Sequence, residues 1–95
     1  MGSEIEAVAE RLGLLRKALG LSSAELCRQI GMLPSAWSMF ESGQRRFTLE
    51  AAMVLRKKYG ASVDWIFFGD EACLPKRLFD LIETARAKMK NTAAE

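Results

Sequence analysis

The sequence predicts an all-α fold of five short helices followed by a C-terminal amphipathic helix. Three observations carry that prediction. Apolar residues recur at i, i+3, i+4 spacing in successive segments, most segments open on a capping residue and close on a glycine, and no strand-like alternation of period two survives anywhere.

The first helix is carried by Ile5, Val8, Leu12, Leu15 and Leu19, with a capping box of Ser3 and Glu6 at its start and Gly20 at its end. Gly13 weakens it. A second capping box, Ser22 with Glu25, opens a helix of about two turns in which Leu26 and Ile30 share a face, and Gly31 suits its left-handed C-terminus. After a three-residue turn, Pro34 occupies the first turn of a third helix, where its missing N–H has no intrahelical partner. Trp37, Phe40 and Glu41 fall on neighbouring turns of that helix before Gly43 stops it. Thr48 caps a fourth helix with an apolar face of Leu49, Ala52, Met53, Leu55 and Tyr59, closed by Gly60. Ser62 caps a single-turn fifth helix through Phe67, stopped by Gly69 and Asp70. In the last helix the stripe is Leu74, Leu78, Leu81, Ile82, Ala85 and Met89, with Pro75 in the first turn, Lys88 and Lys90 near the C-terminal end, and a frayed tail from Asn91 to Glu95.

Ninety-five residues make one compact unit with at most a short appendage. With 49% hydrophobic and 27% charged residues, a disordered tail and a membrane protein are both poor readings. The longest apolar run, Trp65-Ile66-Phe67-Phe68, falls far short of the roughly 20 residues that span a bilayer, and no secretory leader is recognisable in the first thirty residues. The myristoylation pattern fails at Glu6, where serine or threonine is required. A cytoplasmic, reduced protein is the expectation. There is no histidine, which removes the usual general base and metal ligand, and Cys27 and Cys73 lie far apart. Cys27 reads as a buried small side chain, Cys73 as a loop thiol beside acidic residues that disfavour its thiolate, and Asp70-Glu71 as a solvated turn. No catalytic constellation, cofactor site, metal site or small-molecule site is expected.

A net charge of +2 does not decide function, but its distribution is informative. Between residues 44 and 58, Arg45, Arg46, Arg56, Lys57 and Lys58 stand against Glu50 alone, a local excess of +4, and residues 59 to 75 carry −3. Arg56 to Lys58 suit the C-terminal end of the fourth helix, whereas Arg45 and Arg46 are explained by no helix end. Two short helices joined by a three-residue turn and followed by Gln44, Arg45 and Arg46 form the arrangement that places one helix in a major groove and holds flanking phosphates.

From Arg11 to Gly69 the chain resembles the Cro/C1-type helix-turn-helix family (the XRE family), whose fold is the lambda-repressor-like bundle. The resemblance rests on Leu15-Arg16, Gly20-Leu21-Ser22, Glu25-Leu26, Gly31, Ser38, Glu41-x-Gly43 and Asp64-Trp65-Ile66 with Gly69, in order and without a gap. It implies an ion pair between Arg16 and Glu41 as scaffold, and a phosphate held at the amides of Ser22 and Ser23. It also implies base contacts from Pro34, Ser35, Ser38 and Met39, to which the residues themselves add Gln44 at the helix exit as a further base contact and Arg45 and Arg46 on phosphates. Residues 1–73 then form the DNA-binding domain, and residues 74–95 a helix and tail available for dimerisation.

The sequence departs from that family at several of these positions. Ser23 stands where glutamine is frequent, Leu33 where a capping serine or threonine is frequent, and Pro34, Ser35 and Met39 where long polar residues are frequent. None of the bidentate contacts that discriminate bases by about 1–3 kcal/mol can come from the helix's first turn, so modest base readout is expected. The resulting expectation is a repressor that binds double-stranded DNA at a palindromic operator as a homodimer, with no membrane partner. The dimer surface lies on the outer end of the last helix, with Phe67 and Phe68 as further candidates, and Leu78 and Ile82 close the core. The alternative is a helix-turn-helix scaffold used as a protein-interaction module through Leu33, Pro34, Trp37 and Met39 or through the last helix, with weak or non-specific DNA binding. Trp37 itself reads as a core residue.

Overall fold

The structure, a computed structural model, describes the backbone of residues 2–94 and the side chains of residues 4–89. Six helices follow one another: α1 (Gly2–Ala18), α2 (Ser23–Ile30), α3 (Pro34–Glu41), α4 (Leu49–Tyr59), α5 (Val63–Phe68) and α6 (Lys76–Ala94). No strand occurs among the described residues.

Local chemistry accounts for most of the boundaries. Ser22 accepts the Glu25 N–H through its hydroxyl and donates its own N–H to the Glu25 carboxylate, so the predicted capping box forms in full at α2. Gly31 takes φ 70°, ψ 36°, a left-handed conformation that glycine adopts without steric penalty, and so turns the chain into the three residues before α3. Thr48 and Ser62 cap α4 and α5 as predicted. At α3 the cap residue is Leu33, which offers no side-chain acceptor, and Pro34 stands first in the helix.

Three boundaries differ from the sequence expectation. Helix α1 already includes Gly2 and Ser3, so it does not begin on a Ser3 cap; the Ser3 side chain lies outside the described residues. Helix α5 runs one residue further, to Phe68. In place of a frayed tail from Asn91, the backbone of α6 stays helical to Ala94, which puts Lys88 and Lys90 more than a turn before the end; Glu95 lies outside the described residues.

The core is shared by all six helices: Leu12 and Leu15 of α1, Leu26 and Cys27 of α2, Trp37 and Phe40 of α3, Leu55 of α4, Trp65 and Ile66 of α5, and Leu78 and Ile82 of α6. Each large side chain withdrawn from water in this way contributes about 1.5–3 kcal/mol. Phe47, between α3 and α4, plugs the side of this core with its ring edge-on to Phe40 (centroids 5.0 Å apart) and to Trp37 (6.1 Å). Helix α6 lies along α1. The whole chain has a radius of gyration of 12.6 Å, close to the ~12.4 Å of a single compact body of this length, so α6 closes the domain and does not extend from it. The predicted apolar face of α4 is only half correct. Ala52 and Leu55 are buried, but Leu49 and Met53 are more than half exposed.

Candidate nucleic-acid interface

The exposed face of α3 is fixed from behind by a polar lock. Arg16 of α1 donates to both carboxylate oxygens of Glu41, from Nε to Oε1 and from Nη2 to Oε2, each at 2.9 Å. This two-pronged geometry suits the planar guanidinium. A third donor, Arg16 Nη1, reaches the carbonyl of Leu21 at 3.1 Å and ties the α1–α2 loop to the same node. Trp37 Nε1 donates to Glu41 Oε1 at 2.6 Å, one helical turn back along α3. The pair is about four-fifths buried. Arg16 holds the Glu41 carboxyl below the usual carboxylate range, against the opposing effect of burial, and Trp37 assists. Gly13 makes the approach possible: a β-carbon there would sit 3.3 Å from Glu41 Oε2. The loss of helix propensity at Gly13, about 1 kcal/mol, accompanies this close passage of the carboxylate.

With Trp37 and Phe40 turned inward, Pro34, Ser35, Ser38 and Met39 are left on the exposed side of α3. All four predicted base-facing residues therefore share one solvent-facing strip. Trp37 has no exposed surface, which confirms its core role and removes it from the alternative protein-binding surface.

Beyond α3, the backbone N–H groups of Gln44 and Arg45 both donate to the Met39 carbonyl, at 3.0 and 3.1 Å. The loop is thus folded back on the last turn of α3. The Arg45 guanidinium lies 5.9 Å from the centre of the Phe40 ring, which gives a long flexible side chain a resting place beside the strip. Gln44, Arg45 and Arg46 are all exposed.

At the N-terminus of α2, the capping box decides which amides remain for an anion. The N–H of Ser22 is engaged by Glu25 and the N–H of Glu25 by Ser22. The amides of Ser23 and Ala24 have no acceptor within the chain among the described residues, so the free donors at this positive helix end are Ser23 and Ala24. Ser22 serves there as the cap. Its backbone N–H also holds the Glu25 carboxyl below its ordinary range.

The basic block of residues 44–58 divides in space. Arg45 and Arg46 precede α4, whereas Arg56, Lys57 and Lys58 occupy its last turn, about 12 Å along the helix from its start. Lys58 donates to the carbonyl of Gln29 at 2.8 Å and so serves the C-terminal end of α2. Arg45 adjoins the last turn of α3, and Arg46 lines a groove with Ile5 and Val8 of α1 and Phe67 and Phe68 of α5.

Sequence reasoning missed Phe47, which closes the core directly behind Arg46. Its signal is its place before the Thr48 cap, where a hydrophobic staple is common. Cys27 is buried and its thiol is pushed up, first by burial and then by Glu41; Cys73 is exposed. Among the described residues no group of three acidic, cysteine or histidine side chains converges on a metal position, and no helix is long and apolar enough to cross a membrane.

Residues 7–65, 59 of the 95, match the family model of the helix-turn-helix domain. Comparison with curated proteins and with solved structures gives no significant match. The matched segment contains α2, α3, the Arg16–Glu41 lock and both arginines of the following loop. The chain belongs to the helix-turn-helix domain family, a family of DNA-binding and transcription-regulating proteins.

Proposed function

We propose that the protein is a sequence-specific transcriptional regulator of the Cro/C1 (XRE) type, a cytoplasmic repressor that binds a palindromic operator as a homodimer. The single observation behind this reading is the exposed strip of Pro34, Ser35, Ser38 and Met39 on α3, preceded in the chain by the free amides of Ser23 and Ala24 at the start of α2 and followed by the exposed Gln44, Arg45 and Arg46. In this reading α3 lies in the major groove. The α2 N-terminus and the arginine pair take phosphates on either side of it.

The strip holds two short hydroxyls and no long donor. Ser35 and Ser38 discriminate weakly, Met39 offers apolar contact to a thymine methyl, and Gln44 is the one long amide within reach of the strip. Selectivity then comes largely from DNA shape and from the spacing of two half-sites. One such unit also covers little DNA, which favours two copies on a two-fold-symmetric site.

Selection of bound fragments from random duplex DNA tests this. The expected product is a two-fold-symmetric motif with half-site centres about 10–10.5 base pairs apart or a multiple of that. Recovery of fragments with no shared motif, or no binding even at low salt, contradicts it.

A further inference from the structure

Helix α4 buries Ala52 and Leu55 and turns a different stripe to solvent. Glu50, Met53, Val54 and Lys57 are spaced by three, one and three residues, so they fall within about 100° of one another around the helix. Met53 is 56% and Val54 40% exposed, and the ground beside them is also apolar, with Leu49 55% and Leu33 72% exposed. Leu33, Glu50 and Val54 line one shallow depression. Leu33, Leu49, Met53 and Val54 are four of the eight exposed large apolar side chains among the described residues. Among the described residues, neither Glu50 nor Lys57 has an ion-pair or hydrogen-bond partner for its side chain within the chain.

Helix α6, whose outer end is the dimer surface expected from the sequence and whose Leu78 and Ile82 close the core as expected, differs on both counts. Leu78, Ile82 and Ala85 are buried in the domain's own core, leaving Leu81 and Met89 as isolated exposures. The charges of α6 are largely paired at home, Lys76 with Asp80 and Arg86 with Glu83 and Glu71.

The α4 stripe is its own complement about an axis between Met53 and Val54. An antiparallel second copy sets Glu50 against Lys57 of the partner subunit, twice, and closes Met53 and Val54 over the same pair of the other copy. A parallel arrangement would set like charges together. We propose that α4 is the surface through which two copies of this chain associate, with Met53 and Val54 at its centre, Leu49 and Leu33 at its margin and the two Glu50–Lys57 cross pairs fixing the antiparallel direction. The proposal rests on the homodimer of the preceding reading and names where the copies meet. Since Leu49 follows Arg46 by three residues, the same axis fixes the two arginine loops, and behind them the two α3 helices, in one relative position.

The contact spans about two helical turns, at the small end of specific interfaces, so association of the free protein is weak, with a dissociation constant in the micromolar range or above. Sedimentation equilibrium of the full chain between ~10 µM and ~1 mM at low salt tests it. The expected result is a concentration-dependent dimer that Glu50→Lys or Lys57→Glu each weakens about tenfold, by turning two attractions into two repulsions. Mixing the two single variants, or combining both changes in one chain, restores dimerisation because every cross pair is then again of opposite sign. Unchanged circular dichroism and retained binding of the wild-type chain to a single half-site duplex keep folding and the DNA reading separate from this result. A chain that stays monomeric at ~1 mM, single variants that dimerise like wild type, or mixed variants that fail to recover overturn the α4 surface, whatever the half-site measurement shows.

Discussion

The two sides of α3 are built on opposite principles. The inner side carries Trp37, with no exposed surface, and Glu41, whose carboxylate accepts three hydrogen bonds from Arg16 and Trp37. The outer side carries Pro34, Ser35, Ser38 and Met39, all solvent-facing and free of strong donors. Polar chemistry on this helix is thus concentrated where it sets the position of the helix and is thin where a partner would be read. The helix is held firmly and offers few strong donors, so in the proposed reading DNA affinity comes largely from the elements beside it.

That contrast is broken most severely from the inside. Trp37→Ala is expected to destabilise the chain by about 3–5 kcal/mol, through loss of a fully buried ring and of one donor to Glu41. This is a large fraction of the 5–15 kcal/mol typical of a domain. Urea unfolding measures it; a loss below about 1 kcal/mol would show that the ring is not the centre of the core.

Glu41→Ala comes next, at about 2–4 kcal/mol, because it leaves a mostly buried guanidinium without its partner. The same pair predicts a pH dependence. The folded chain holds the Glu41 carboxyl below its unfolded value, so its stabilising effect is complete above the unfolded carboxylate range and is lost as pH falls through the folded pKa. Stability should therefore decline below about pH 5. Glu41→Gln should flatten that decline, leaving the contribution of Glu25, whose carboxyl is held low by Ser22. Parallel acid profiles for wild type and Glu41→Gln would remove the ion pair from the account.

At the margin between the two sides, Ser22→Ala should cost about 1 kcal/mol by removing the hydroxyl that caps α2. Ser38→Ala on the outer strip should stay within about 0.5 kcal/mol. Thermal melts compare the two, and equal losses would mean that the strip is structural after all.

The division between what the sequence foretold and what it did not follows the range of the interactions. Helix ends at Ser22, Gly31, Thr48, Gly60 and Ser62 are local matters of one side chain or one φ angle, and each stands where its residue type predicts. Gly13 looked like a flaw in α1 because its reason lies 28 residues away, in the carboxylate of Glu41 that passes against it. Phe47 sits outside every helix, so no periodicity marks it as core. Leu49 and Met53 have the spacing of a buried face, yet periodicity cannot say which of two apolar stripes on α4 meets the core. At the candidate site, sequence placed Pro34, Ser35, Ser38 and Met39 on one face and named the Arg16–Glu41 pair. It could not see that the capping box engages the Ser22 amide and leaves those of Ser23 and Ala24, nor that Met39 anchors the arginine loop through its carbonyl.

We propose that Arg45, folded against the end of α3, and its neighbour Arg46 bind DNA phosphates beside a helix that reads little. Neither side chain belongs to the core, and Arg45 has only the Phe40 ring as a neighbour of consequence, worth about 0.5–1 kcal/mol. The pair can therefore be removed without unfolding the chain. Duplex affinity of wild type and of the double variant Arg45→Ala, Arg46→Ala, titrated across a range of salt concentrations, tests the claim directly. The double variant is expected to bind every duplex sequence more weakly, with a slope of log K against log salt reduced by about 2 and a melting curve nearly unchanged. An equal slope and equal affinity in a folded double variant would contradict it.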